Sequence, residues 1–282
     1  MQPVEIVFAL MLALVFGPTL RDLAGVWSSV EYYSHGFLVP LVSGLVAMGL
    51  ARGRAALPRE RDARGAVLLA LALGAALVGT LVSSTSLQGL ALVAAIAGAV
   101  WYLRGTAWLR LLAFPIAYLI FMVPIPPDWI SPVIVQLLLF VTAAAVWTLH
   151  ALGLAVTRAG NVLTLPGGES LFVAEACSGL TSLVTLTPIA VLIAYIAPIS
   201  LRSKLLLVAL VAPIAMLANM IRVVGTALGA ERWGAHAVTD DPVHTLVGLA
   251  VYAVACMLLL AIARALPRDP ARRSRAAAAA GS

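Results

Sequence analysis

The chain has 282 residues, of which 62% are hydrophobic and only 11% charged. A soluble domain of that length cannot hide so much apolar surface, which excludes an ordinary water-soluble globule. The formal net charge of +6 does not point to nucleic acid, because the cations stand in short patches between apolar runs, where they act as topology signals.

Apolar runs recur along the whole chain, and about 20 such residues cross a bilayer as a helix, which satisfies its own backbone polar groups. The pattern predicts an all-α, polytopic transmembrane helical bundle with about eight spanning helices, a single domain over residues 1–266 and a disordered basic tail over 267–282. The first run, 4–20, has no basic leader and no clear small-residue cleavage site, so it reads as a retained helix and not a signal peptide. Tyr33-Ser-His35-Gly36 makes an interfacial turn before the second helix, 37–51. Helices over 66–83, 87–103 and 109–125 follow. Pro126, Pro127 and Pro132 break the chain before a further run, 132–152, which carries Gln136, Trp147 and His150.

Charge decides how that run is read. Fourteen of the eighteen Lys and Arg residues fall in the connection 52–65, at Arg104 and Arg110, at Arg202 and Lys204, and in the tail. The positive-inside rule assigns these to the cytoplasm. Were 132–152 to cross, the last two groups would lie outside, so it is expected to be an interfacial or re-entrant helix of the outer leaflet. Both termini are then cytoplasmic in a multi-pass protein of the cell (inner) membrane. The outer connection 153–176 carries two β-prone runs around Pro166-Gly-Gly, which reads as a short hairpin before Cys177. The last three helices are 177–197, 205–228 and 243–264.

Three outer helix ends hold reactive side chains: Cys177, then Arg222 45 residues on, then His244 22 residues after that. A helical hairpin and a short return bring such positions to one depth. A thiol becomes a strong nucleophile once deprotonated, and a helix N-terminus at Cys177 favours the anion. His244 suits general acid–base work, and Arg222 suits an oxyanion. An arginine inside a spanning helix costs at least roughly 2.5–3.5 kcal/mol at its centre, so it calls for a paired or functional role. The plainer readings are a structural cysteine, a snorkelling arginine and a capping histidine beside Asp240 and Asp241.

Val173-Ala-Glu175-Ala-Cys177-Ser178-Gly-Leu180, Asn219-x-x-Arg222 and His244 together resemble the exosortase/archaeosortase family. So do Tyr33-Ser-His35-Gly36-Phe-Leu-Val-Pro40 and the lead-in Gly160-Asn161…Leu165-Pro166, and the likeness runs from about residue 20 to 264. Thr181 departs from the polar or basic residue of many relatives and reads as a subfamily marker. The resemblance implies a membrane cysteine protease or transpeptidase acting on proteins with a C-terminal sorting signal. Cys177 is then the nucleophile, and Arg222 and His244 are its partners. Expected partners are membrane-anchored substrates bearing a sorting helix, the lipid bilayer and a cell-surface or exopolysaccharide acceptor; nucleic acid is not among them. No cofactor or metal is implied, and no further domain is expected after the last helix. Glu175, Ser178, Asn219 and His35 are weaker supporting candidates, with Asn219 one turn from Arg222. His150 and His236 read as surface residues, Cys256 as packing, and Gly225-xxx-Gly229 as a close helix contact. A transporter and a non-catalytic polysaccharide-export partner are the alternatives.

Overall fold

The computed structural model describes residues 3–54, 57–172, 179–234 and 243–267, with residue 3 and residues 243–245 described by backbone alone. It is almost wholly helical and divides into two compact units, residues 1–130 and 131–282.

In the first unit, α1 (Pro3–Val15) and α2 (Gly17–Ser29) meet at a 59° bend, where buried Phe16 leaves helical geometry. A 3-10 turn, Glu31–Phe37, leads into α3 (Leu38–Ala51). Next come α4 (Ala63–Leu81) and α5 (Thr85–Leu111), an antiparallel pair packed backbone to backbone. A Cβ at Gly65 would collide with the main chain of Trp101 and Tyr102, and one at Gly98 would stand 2.8 Å from the Leu69 nitrogen. Small residues allow such an approach where lipid gives helices no hydrophobic reason to associate. Asp62 caps α4 by accepting from the Arg64 N–H at 3.0 Å, and it also accepts from Trp101 Nε1 at 3.0 Å and the Thr106 hydroxyl at 3.1 Å. Those donors, the Arg64 amide first, hold its carboxyl below the usual range against the opposing pull of desolvation.

The predicted helix 109–125 is present in pieces. Gly105 breaks α5 with φ 83 and ψ −179, a conformation open to glycine, and Leu112 separates α5 from α6 (Ala113–Tyr118), which tightens into a 3-10 turn over Leu119–Met122. Contacts with the rest of the unit hold the pieces along their length. Gly105 lies against the Glu60 carbonyl, Ser43 Oγ donates to the Pro115 carbonyl at 2.7 Å, and Trp27 Nε1 donates to the Met122 carbonyl at 2.8 Å.

The run 132–152 differs from expectation in the opposite direction. It lies in one continuous helix, α7 (Pro127–Ala151), long and apolar enough to cross a membrane. Pro127 begins that helix, and Pro132, near its start, forfeits a hydrogen bond without ending it. Among the described residues six helices meet the length and hydropathy needed to span, or seven if the bent α1–α2 pair is one crossing, against the eight expected; Ala113–Met122 and Leu180–Ile196 are shorter apolar helices.

In the second unit, β1 (Thr157–Ala159), β2 (Val162–Thr164) and β3 (Ser170–Phe172) form an antiparallel sheet in the order β1-β2-β3. The expected hairpin is β2–β3, turning at Gly168 (φ 86), and β1 adds a strand. Cross-strand partners Leu163 and Leu171 share the buried face. They pack with Val141, Ala145 and Leu149 of α7 and with Val223, Val224 and Ala227 of α10 (Val211–Trp233). A second apolar cluster joins α8 (Leu180–Ile196), α9 (Leu201–Ala209), α10 and α11 (Val243–Ala265) through Leu186, Leu207, Ala215 and Leu259. Helix α10 thus belongs to both clusters, from Ala215 in one to Val223 in the other.

Candidate functional site

The stretch of α10 between those two clusters carries Asn219 and Arg222. Asn219 is 2% exposed and Arg222 half-buried, one helical turn apart. Two glycines show what they face. A Cβ at Gly179 would sit 3.6 Å from Asn219 Nδ2 and 3.7 Å from its Cβ, and a Cβ at Gly248 would sit 3.1 Å from Arg222 Cζ and Nη2. Gly179 stands two residues after Cys177, and Gly248 stands one helical turn after His244 on α11. One turn of α10 therefore touches both Gly179, which follows the Cys177 segment in the chain, and α11, which carries His244 in its first turn.

Glu175, Cys177 and Ser178 lie outside the described residues, as do His236, Asp240 and Asp241, and His244 is described by its helical backbone alone. What is described begins at Gly179, which takes φ 86 and ψ −12 as the residue before α8. A left-handed residue at that point favours glycine over any other side chain. The first residue of α8 is Leu180, three positions after Cys177 in the sequence. The amides at the start of α8 lack partners within the helix, as at any helix N-terminus. Beside them Thr181 Oγ1 is buried with no hydrogen-bond partner among the described residues.

His35 has a role within the first unit. Its Nε2 donates to the Phe121 carbonyl at 3.1 Å. The Tyr33 hydroxyl accepts from the Ile125 amide at 2.7 Å, and Trp27 holds the Met122 carbonyl. Gly36 lies directly under the Trp27 indole, where a Cβ would overlap the ring. The Tyr33-Ser-His35-Gly36 string thus anchors the end of the broken segment 119–125, and its partner Trp27 was not singled out by the sequence. His150 is exposed, with Nε2 2.7 Å from the Val156 carbonyl. Cys256 is a half-buried free thiol. Among the described residues nothing lies within 4 Å of where a Gly225 Cβ would be, so none of them packs closely there. Gly65, Gly98 and Gly248, which do lie close against neighbouring helices, carry no motif around them.

A family model described as transmembrane exosortase matches residues 27–261, more than four fifths of the chain. No curated protein and no solved structure matches.

Proposed function

Because the chain belongs to the transmembrane exosortase family, we propose that it is a membrane cysteine transpeptidase or protease with Cys177, His244 and Arg222 as its reacting groups. Its substrate is an exported protein held in the membrane by a C-terminal helix and cut just outside the bilayer, on the face opposite the arginine-rich connections. The proposal puts the enzyme in the cell membrane with its arginine-rich connection 52–65 on the cytoplasmic side.

The observation that carries the reading is the contact of one α10 turn with both Gly179 and Gly248. His244 takes the thiol proton, and the Cys177 thiolate adds to the scissile carbonyl carbon. The carbonyl oxygen gains the negative charge, which the Arg222 guanidinium stabilises. Collapse breaks the C–N bond, the proton on His244 passes to the leaving amine, and a thioester remains on Sγ. Water or an acceptor amine then attacks the thioester and frees the thiol. Buried Asn219 supports the chain beside the nucleophile, and Glu175 and Ser178 flank it in sequence.

Replacing Cys177 with Ala is expected to abolish processing of a co-expressed membrane-anchored substrate while the variant still inserts at wild-type levels. His244→Ala should cost about 10²–10⁴-fold, the usual worth of a positioned acid–base. Processing by Cys177→Ala at the wild-type rate would overturn the mechanism and favour a non-enzymatic role.

A further inference from the structure

Between α1 and α5 runs an apolar cavity of about 370 Å³, whose walls include Glu5, Ala13 and Phe16 on one side and Leu92, Ala99 and Arg104 on the other. From Glu5 to Phe16 the wall rises roughly 16 Å at 1.5 Å per residue. That is close to half of a hydrocarbon core about 30 Å thick, the depth of one leaflet. The apolar lining along that length suits a hydrocarbon chain lying between the two helices.

One end of the cavity is polar. Glu5, 8% exposed, accepts from Arg104 Nε at 2.8 Å and from Nη2 at 2.9 Å, and the guanidinium lies 4.6 Å from the centre of the Trp108 ring. Arg104 also lines a second cavity of about 260 Å³, walled by Glu60, Arg61, Asp62 and Thr106. A long apolar compartment and a compact polar one therefore both border Arg104, the division that an amphiphile has.

We propose that the paired cavities hold a membrane glycerophospholipid, with one acyl chain between α1 and α5 and its phosphate against Arg61 and Arg104. Guanidinium groups bind phosphate through paired, charge-assisted hydrogen bonds. The arginines at positions 52, 54, 59, 61 and 64 make this end of the unit attractive to an anionic ester. Glu60 in the same cavity accepts a hydrogen bond from a head-group hydroxyl or ammonium.

The test is native mass spectrometry of the full chain released from mild detergent, with phosphatidylglycerol, phosphatidylethanolamine or a diacylglycerol of the same acyl chains added. One phospholipid per chain is expected, preferred at least tenfold over diacylglycerol. Ala13→Phe fills the apolar cavity from an exposed helix position and should lower occupancy about tenfold; Ala9→Phe, one turn away, serves if the first variant folds poorly by circular dichroism. Arg61→Ala should lower phospholipid occupancy severalfold and leave diacylglycerol unchanged. Equal retention of phospholipid and diacylglycerol would overturn the proposal, as would full occupancy in both cavity-filling variants, which would put the lipid elsewhere on the protein's surface.

Discussion

The two units use buried polar side chains differently. In the first, the polar groups repair broken helices. Trp27, Tyr33 and His35 tie down the backbone of residues 121–125, Ser43 reaches the Pro115 carbonyl, and the Thr19 hydroxyl donates to Gln88 Oε1 at 3.1 Å. In the second, apolar residues make two clusters, and Asn219 and Arg222 stand on the one helix that joins them, each against a glycine. Away from water an unsatisfied carbonyl costs about 1–3 kcal/mol, so each anchor of the first unit offsets a break in its helices. The second unit's pair instead lies against glycines, Asn219 beside Gly179 and Arg222 close against Gly248. The lesson is that burial alone does not mark a catalytic polar residue in such a bundle; what it faces does.

The sharpest way to break this comparison is to attack what holds the first unit together. Gly65→Leu drives a side chain into the main chain of Trp101 and Tyr102. Backbone cannot yield as a flexible side chain does, so a loss of roughly 3 kcal/mol is expected, at the upper end of overpacking costs. Thermal unfolding in detergent should show it, and processing should fall only in proportion to the folded fraction. A fully folded but inactive Gly65→Leu would place chemistry in the first unit and end the contrast.

Much of this was legible in the sequence, for identifiable reasons. The nine apolar runs all appear as helical elements, because hydropathy is a property of each segment by itself. The hairpin before Cys177 was readable from Pro166-Gly167-Gly168 between β-prone runs. Which runs form unbroken helices was not readable. Pro132 looked like a break and is carried within a 25-residue helix, while Gly105 looked ordinary and takes a left-handed extended conformation that divides the chain. A proline's cost depends on where in the helix it falls, and a glycine's conformation depends on its neighbours, here the Glu60 carbonyl. The candidate site was drawn from residue types at suitable spacings, and Cys177 lies outside the described residues. The glycines that let α10 reach its neighbours were not legible, because a close approach belongs to two segments at once.

In the second unit the expected effect is smaller and falls on rate. Gly248→Ala puts a methyl 3.1 Å from the Arg222 guanidinium, so the arginine must shift by a few tenths of an ångström. If Arg222 stabilises the transition state, that displacement should slow processing about tenfold, which is about 1.4 kcal/mol, with little change in stability. Arg222→Lys, which keeps the charge and loses the planar fork, should be slower still, about 10²-fold, in the manner of a lost oxyanion donor. Wild-type rates in both variants would reduce Arg222 to a structural residue and make the second unit resemble the first.

The smallest effect decides the histidine on which the two units differ most directly. His35→Ala removes the donor to the Phe121 carbonyl and should destabilise the protein by about 1 kcal/mol, the usual worth of one such hydrogen bond. An anchoring role predicts that processing per folded molecule stays within twofold of wild type, and that His35→Gln, which restores an N–H donor, recovers part of the lost stability. A contact at the mouth of the active site predicts the reverse: unchanged unfolding, slower processing and no rescue by Gln. The anchoring outcome is expected, because Tyr33 and Trp27 hold neighbouring backbone groups in the same way, and three side chains gripping one five-residue stretch act as a clamp on the backbone.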